Sequence, residues 1–206
     1  MKSFMIPLIR WVKNFQRPSK NKNLSTLKKR GEDTSSFQLR EATIDDVSAL
    51  VDLHVVTWNA TYPGFRNPPS HAIRDYQWRK AFTEKNKDWF CLVLENSSKE
   101  LIGFVQANRY GDESSAFKGQ LNKIYLLWSY HRLGLGQKMV CAVARRFIDS
   151  GINSMLLFSE PDNPSIYFYE ALGAERLLDE KGNFHGGYGW RDLTKLDNAC
   201  LDFPTR

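Results

Sequence analysis

Acid is missing from the start of this sequence: residues 1–31 hold nine Lys or Arg and no Asp or Glu, Glu32 being the first. The other 20 basic residues face all 23 acids, a formal charge of −3. The high pI of about 9.2 therefore belongs to the N-terminal segment and gives no reason to expect a nucleic-acid partner. Cysteine is scarce as well. Cys91, Cys141 and Cys200 are odd in number and far apart, with no Cys-x-x-Cys and no histidine at metal-ligand spacing. They are expected as reduced thiols in a cytoplasmic setting, with no disulfide framework and no metal site. No run of 18 apolar residues occurs, so no helix able to cross a bilayer is expected. His54, His71 and His185 are scattered and are expected in structural or surface roles.

What is present suffices for one domain: 206 residues, 42% of them hydrophobic. Within the basic segment, "FMIPLIRWVKNF" sets Phe4, Met5, Leu8, Ile9, Val12 and Phe15 at helical spacing among Lys2, Arg10, Lys13 and Arg17, with Pro7 early in the run. Such a segment suits an anionic membrane surface or an organelle presequence, and equally a disordered extension. Pro18 to Ser36 reads as a linker. The expected layout is an N-terminal extension and linker over 1–36, a domain over 37–195 and a tail over 196–206.

The domain begins with a short strand, Phe37 to Ala42, and "TIDD" then offers a capping box for a helix with Val47, Leu50, Val51, Val55 and Trp58 on one face. "NATYPGFRNPPS" breaks it, and a second helix is expected over Ser70 to Thr83. "WFCLVLE" and "LIGFVQANRY" flank the polar turn "NSSKE" as a hairpin, and Gln120 to Trp128 makes a further strand. Helical spacing resumes through Leu135, Met139, Val143 and Phe147 and ends at Gly151. "SMLLFSE" reads as a buried strand. "DNPSIYFYEALGA" reads as a helix capped by Asp162 or Asn163, with Pro164 in its first turn and Gly173 at its end. Strands near Glu175 to Asp179 and Gly187 to Leu193 close the order β-α-α-β-β-β-α-β-α-β-β.

A strand followed at once by Gly134-x-Gly136 and a helix is a device for an anion. The first helical amides lack intrahelical acceptors, the dipole is positive there, and glycine admits close approach. His131, Arg132 and Lys138 add positive charge. A dinucleotide fingerprint would need a third glycine where Met139 stands, and a P-loop would need Lys after Gly136, where Gln137 stands. A pyrophosphate site remains, alongside a plain tight turn.

From Phe37 to Leu193 the sequence resembles the GNAT superfamily of acyl-CoA-dependent N-acyltransferases. The resemblance rests on "IYLLWSYHRLGLG", similar to that family's Gln/Arg-x-x-Gly-x-Gly/Ala junction, and on "NPSIYFYEALGA", similar to its Asn-led helix ending Tyr-Glu-x-x-Gly. It implies a mixed α/β fold, a splayed sheet of about seven strands flanked by about four helices, with acetyl-CoA wedged into the splay as cosubstrate and no metal. The loop Leu133, Gly134, Leu135 and Gly136 would bind the pyrophosphate, with Arg132 beside it and His131 where the family prefers Gln or Arg. Leu126 and Leu127 would give backbone groups to the pantetheine arm and to the reacting carbonyl, and Asn163 would contact the pantetheine. Tyr169 matches the tyrosine that protonates the departing thiolate; it also falls on an apolar row with Ile166 and Leu172, where packing would explain it.

Many relatives have an acid where this chain has Gln120, which cannot act as a base. Glu160 is the candidate general base, with solvated surface acid as the other reading. "TWNATYPGF" resembles the Trp-x-x-x-Tyr-x-Gly pattern of one branch of the superfamily, placing Trp58 and Tyr62 at an acceptor site. The implied activity is acetyl transfer from acetyl-CoA to a primary amine, small or peptide-borne, by direct attack in a ternary complex. A non-catalytic acyl-CoA-binding module and a membrane-recruited interaction protein are the alternatives. Neither the acceptor nor the oligomeric state is specified by these residues.

Overall fold

The computed structural model describes residues 19–64, 66–84, 88–160, 163 and 165–201. The amphipathic run from Phe4 to Phe15, the proposed cap Asp162 and Pro164 lie outside them. Seven strands form one mixed sheet in the order β1-β2-β3-β4-β5-β7-β6. They are β1 (Gln38–Glu41), β2 (Phe90–Glu95), β3 (Leu101–Arg109), β4 (Gly119–Leu126), β5 (Met155–Phe158), β6 (Glu175–Leu178) and β7 (Phe184–Trp190). Among the described residues there are six α-helices: α1 (Lys20–Lys29), α2 (Val47–Thr61), α3 (His71–Thr83), α4 (Leu135–Asp149), α5 (Ile166–Ala171) and α6 (Leu193–Leu201).

Side-chain alternation along β2 shows how the sheet divides the interior. Phe90, Leu92 and Leu94 enter one cluster with Met139, Val140, Val143, Ala144 and Phe147 of α4, while Cys91 and Val93 enter another with Val47, Leu50 and Val51 of α2 and Trp78 and Phe82 of α3. Both faces are covered, so every β2 residue is buried.

The pairing of β4 with β5 is parallel and ends after Gly119–Met155 and Gln120–Leu156. The divergence has a local cause. The β3–β4 register slips between Gln106–Lys123 and Ala107–Leu121, leaving Asn122 as an extra residue in β4, and a bulge of this kind bends the strand that carries it. Beyond the bulge, β4 leaves β5 and a gap opens.

Four expectations are corrected. Pro18 to Ser36 is no linker throughout: Ser19 caps α1 by accepting from the Lys22 amide, and Leu27, 1% exposed, enters the core on the α4 side. Residues 196–201 are no free tail, because α6 starts behind Asp192, whose carboxylate accepts from the Thr194 amide, and it buries Leu193 and Leu196. The last strand accordingly runs over Phe184–Trp190 rather than to Leu193. Cys141 and Cys200 are not free thiols either; they form a disulfide joining α4 to α6.

Candidate active site

The glycine loop is built by its backbone. After β4 a 3₁₀ turn, Trp128–Tyr130, reverses the chain; Arg132 has φ +65° and Gly134, the N-cap of α4, has φ +80°. A left-handed residue at that cap suits glycine, since a Cβ there is strained in any surroundings. No acid occupies the first turn and no side chain caps it. The first intrahelical bond runs from the Lys138 amide to the Gly134 carbonyl at 3.0 Å, so the amides of Leu135, Gly136 and Gln137 remain for a ligand. Gly136 has a second use: a Cβ would sit 3.2 Å from Cζ of Phe168, so its absence lets α5 close on α4.

Gly134, Gly136 and Gln137 open onto a cavity of about 1120 Å³ that runs beside Phe168 and Tyr169 of α5 to Lys195 and Leu196 of α6. Lys20, Arg132 and Lys195 give this wall positive charge, whereas Arg191 is paired with Glu175 at 2.6 Å and Asp192 also lines it. Leu133 and Leu135 pack into the core and offer the site only main chain. Lys138 does not add charge here, because its ammonium donates to the Phe37 carbonyl at 3.1 Å.

His131 holds the loop together. Its Nε2 lies 2.9 Å from the Leu126 carbonyl, which can only accept, so Nε2 carries the proton. Burial lowers the ring's pKa and favours that neutral form. Asn23 of α1 donates to the carbonyls of His131 and Trp128.

The strand end differs from expectation at one residue. The Leu127 amide donates to the Ile102 carbonyl and its own carbonyl accepts from Tyr130, so both its groups are taken up in the fold. By the alternation of an antiparallel ladder, the main-chain groups of Leu126 and Ile124 then point the other way, into the gap left by β5. The Leu126 carbonyl is taken by His131, and its amide faces the gap.

A second cavity of about 200 Å³ occupies the splay. Tyr62, Lys123, Tyr125, Glu160, Asn163 and Tyr169 line it, and Tyr169, Leu126 and His131 also line the larger cavity, so the two meet at Tyr169. Asn163 Nδ2 donates to the Tyr62 hydroxyl at 3.2 Å while its Oδ1 caps the Ser165 amide. Burial, and after it the charge of Glu160, raises the Tyr62 pKa. Tyr169 is 5% exposed, and burial raises its pKa too, with further contributions from Tyr125, Tyr62 and Tyr188. Glu160 is exposed at the rim. Trp58 stands behind the wall rather than in it, 5.1 Å from the Tyr62 ring and 5.9 Å from the Arg74 guanidinium carbon.

Reading the sequence alone missed Lys123, Tyr125, Arg74, Lys20 and Asn23. Lys123 left a signal, a lone cation inside the apolar strand "LNKIYLLW". The others left none, because their neighbours come from distant segments.

The sequence profile of the Acetyltransferase (GNAT) family matches residues 50–174. The chain belongs to that family. It is 27% identical over 169 residues to the uncharacterized N-acetyltransferase YuaI of Bacillus subtilis (strain 168), an alignment covering 77% of this chain and 95% of that protein. Among solved structures, the PaiA N-acetyltransferase of Thermoplasma acidophilum in complex with coenzyme A superposes with a TM-score of 0.57 at 19% identity, covering 74% of this chain and 97% of that one. A phosphinothricin acetyltransferase of Sinorhizobium meliloti in complex with AcCoA gives 0.55 at 19% identity, over 75% and 86%. The family span holds the glycine loop, α5 and the splay, whereas α1 and α6, which bring Lys20 and Lys195 to the larger cavity, lie outside it.

Proposed function

We propose that this acetyltransferase binds acetyl-CoA along the larger cavity and transfers the acetyl group directly to an amine held in the smaller one. The reading is carried by one observation: an acid-free helix N-terminus and an opened strand edge face cavities that meet at Tyr169. The α4 amides and Arg132 hold the pyrophosphate, with Lys20 and Lys195 within the same wall. The Leu126 amide polarises the thioester carbonyl and receives charge as its oxygen becomes an oxyanion. Asn163, already bound to Tyr62, sits where the pantetheine would pass.

Glu160 takes a proton from the incoming ammonium, directly or through water, and frees the lone pair for attack on the thioester carbon. The C–N bond forms, and the C–S bond breaks as the intermediate collapses. Tyr169 supplies the proton that leaves with CoA thiol, the second proton shed by the nitrogen as it becomes an amide restores the phenol, and Glu160 returns the first to solvent. Tyr62, braced by Trp58, shapes the acceptor side, whose cavity of about 200 Å³ favours a small molecule or the end of a peptide.

The test is thiol release from acetyl-CoA across a library of primary amines, beside calorimetry with CoA. Amine-dependent thiol release is expected. CoA binding with no release for any amine would leave a binding module in place of an enzyme, and no CoA binding would remove the proposal altogether.

A further inference from the structure

The α2–α3 side of the splay encloses two cations without an acid. Arg74 is 8% exposed; its Nη1 donates to Gln77 at 2.9 Å, and its buried Nε has no partner. The Lys123 ammonium donates to the Gln106 side-chain oxygen at 2.7 Å and lies 6.0 Å from the Trp78 ring centre. Among the described residues neither forms an ion pair, and burial lowers the pKa of both. Within reach of both charges His54 lies nearly fully buried, kept neutral by burial and by the two cations, with Nδ1 unpartnered. Enclosing positive charge in this way opposes folding unless something supplies the opposite charge. Lys123 lines the small cavity, and Glu160 stands at its rim.

We infer that the acceptor is an amine that also bears a carboxylate, which docks against Lys123 with Arg74 behind it. The inference rests on the acetyl-transfer reading of this cavity. A zwitterion matches the two poles: its carboxylate meets the cations and its ammonium meets Glu160, the group assigned to deprotonate it. A polyamine, with no anionic group, meets repulsion instead. Closely placed cations also favour the neutral form of the bound amine, which is the nucleophile.

The experiment titrates the full chain, saturated with CoA, with amino acids and ω-amino carboxylates and with the carboxamide of each, by calorimetry. At least one acid should bind roughly tenfold or more tightly than its carboxamide, as expected for a hydrogen-bonded charge pair. Lys123→Met should bring the two within about twofold while leaving CoA affinity unchanged, and Lys123→Arg should keep the preference. Carboxamides or polyamines binding as well as the acids, no binding by any acid, or a preference that survives Lys123→Met would each overturn the inference. Thiol release on the same panel separates it from the reading beneath it. Carboxylate preference without thiol release sinks acetyl transfer and leaves the anion site standing; thiol release on amines lacking an anion, with no acid preferred, does the reverse.

Discussion

The side-chain amide of Asn23 donates to the main-chain carbonyls of His131 at 2.9 Å and Trp128 at 3.2 Å, so a helix outside the family span fixes the loop that precedes Gly134 and Gly136. Removing one partner of a buried hydrogen bond costs about 1–3 kcal/mol. Asn23→Ala should therefore weaken CoA binding several-fold, read by calorimetry, with a modest drop in melting temperature. Leu27→Ala acts on stability instead, by roughly 2–5 kcal/mol, because its side chain is enclosed by the core. Deleting residues 1–31 combines the two effects. A truncated chain with unaltered melting temperature and CoA affinity would show that α1 is dispensable.

The disulfide between Cys141 and Cys200 closes a loop across a sequence separation of 59. Loop-closure entropy puts its contribution at about 4 kcal/mol, an upper figure where other contacts already hold the segment. Such contacts exist: Arg145 binds Asp197 through both carboxylate oxygens, and Leu193 and Leu196 are buried. Reductant or Cys200→Ser should lower the urea midpoint without unfolding the sheet. Thiol titration of the reduced native chain should find Cys91 unreactive until unfolding, since it is fully buried and its pKa is raised by burial.

The order of the eleven central elements was legible because their patterns are local. The α4 stripe of Leu135, Met139, Val143 and Phe147 repeats at helical period, and the "TIDD" capping box forms as written, with the Thr43 amide bonded to Asp46. The terminal helices were not legible. In "KNKNLSTLKK" the residues that dock are Leu27 and the polar Asn23, which no apolar periodicity registers. Nor could an odd set of cysteines reveal a pair 59 residues apart. At the site, Tyr169 and Asn163 were candidates through motif position and Glu160 through its place just past the fifth strand, whereas the Asn122 bulge that opens the splay has neither glycine nor proline to announce it. The Leu127 amide was misplaced for a similar reason, since its engagement with Ile102 depends on the register after that bulge.

His54 should make stability fall in acid. Its pKa drops from the ordinary 6.5 to about 3 through burial and then the charges of Arg74 and Lys123. Below 6.5 the unfolded chain therefore binds a proton that the folded chain refuses, so stability is fully present above 6.5 and is lost as pH falls toward 3. One such proton gives a slope of about 1.4 kcal/mol per pH unit below 6.5, hence roughly 2.5 kcal/mol between pH 7 and 4.5. His54→Phe keeps ring contacts with Trp78, Phe104 and Tyr125 and removes the titration. Urea unfolding of both chains at the two pH values should show a smaller acid loss in the variant. An equal loss would mean that the carboxylates alone account for it.

Tyr169→Phe separates chemistry from packing. The ring lies 5.3 Å from Phe168 and 5.8 Å from Tyr188, contacts that Phe retains, so melting temperature and CoA affinity should barely move. What is lost is the proton, and a positioned acid typically contributes about 10² to 10⁴-fold, so turnover should fall by that order. Burial makes the phenol a weaker acid than usual, but a thiolate expelled against that buried ring is raised in basicity for the same reason, and transfer between them stays feasible. The raised pKa has its own signature: Tyr169 stays protonated at pH values where an ordinary phenol begins to ionise, so kcat should show no loss from this group up to about pH 10. Tyr169→Ala removes the buried ring as well and should destabilise by roughly 3–5 kcal/mol. If the Phe variant turns over at the full rate while only Ala suffers, Tyr169 is core and the proton comes from elsewhere.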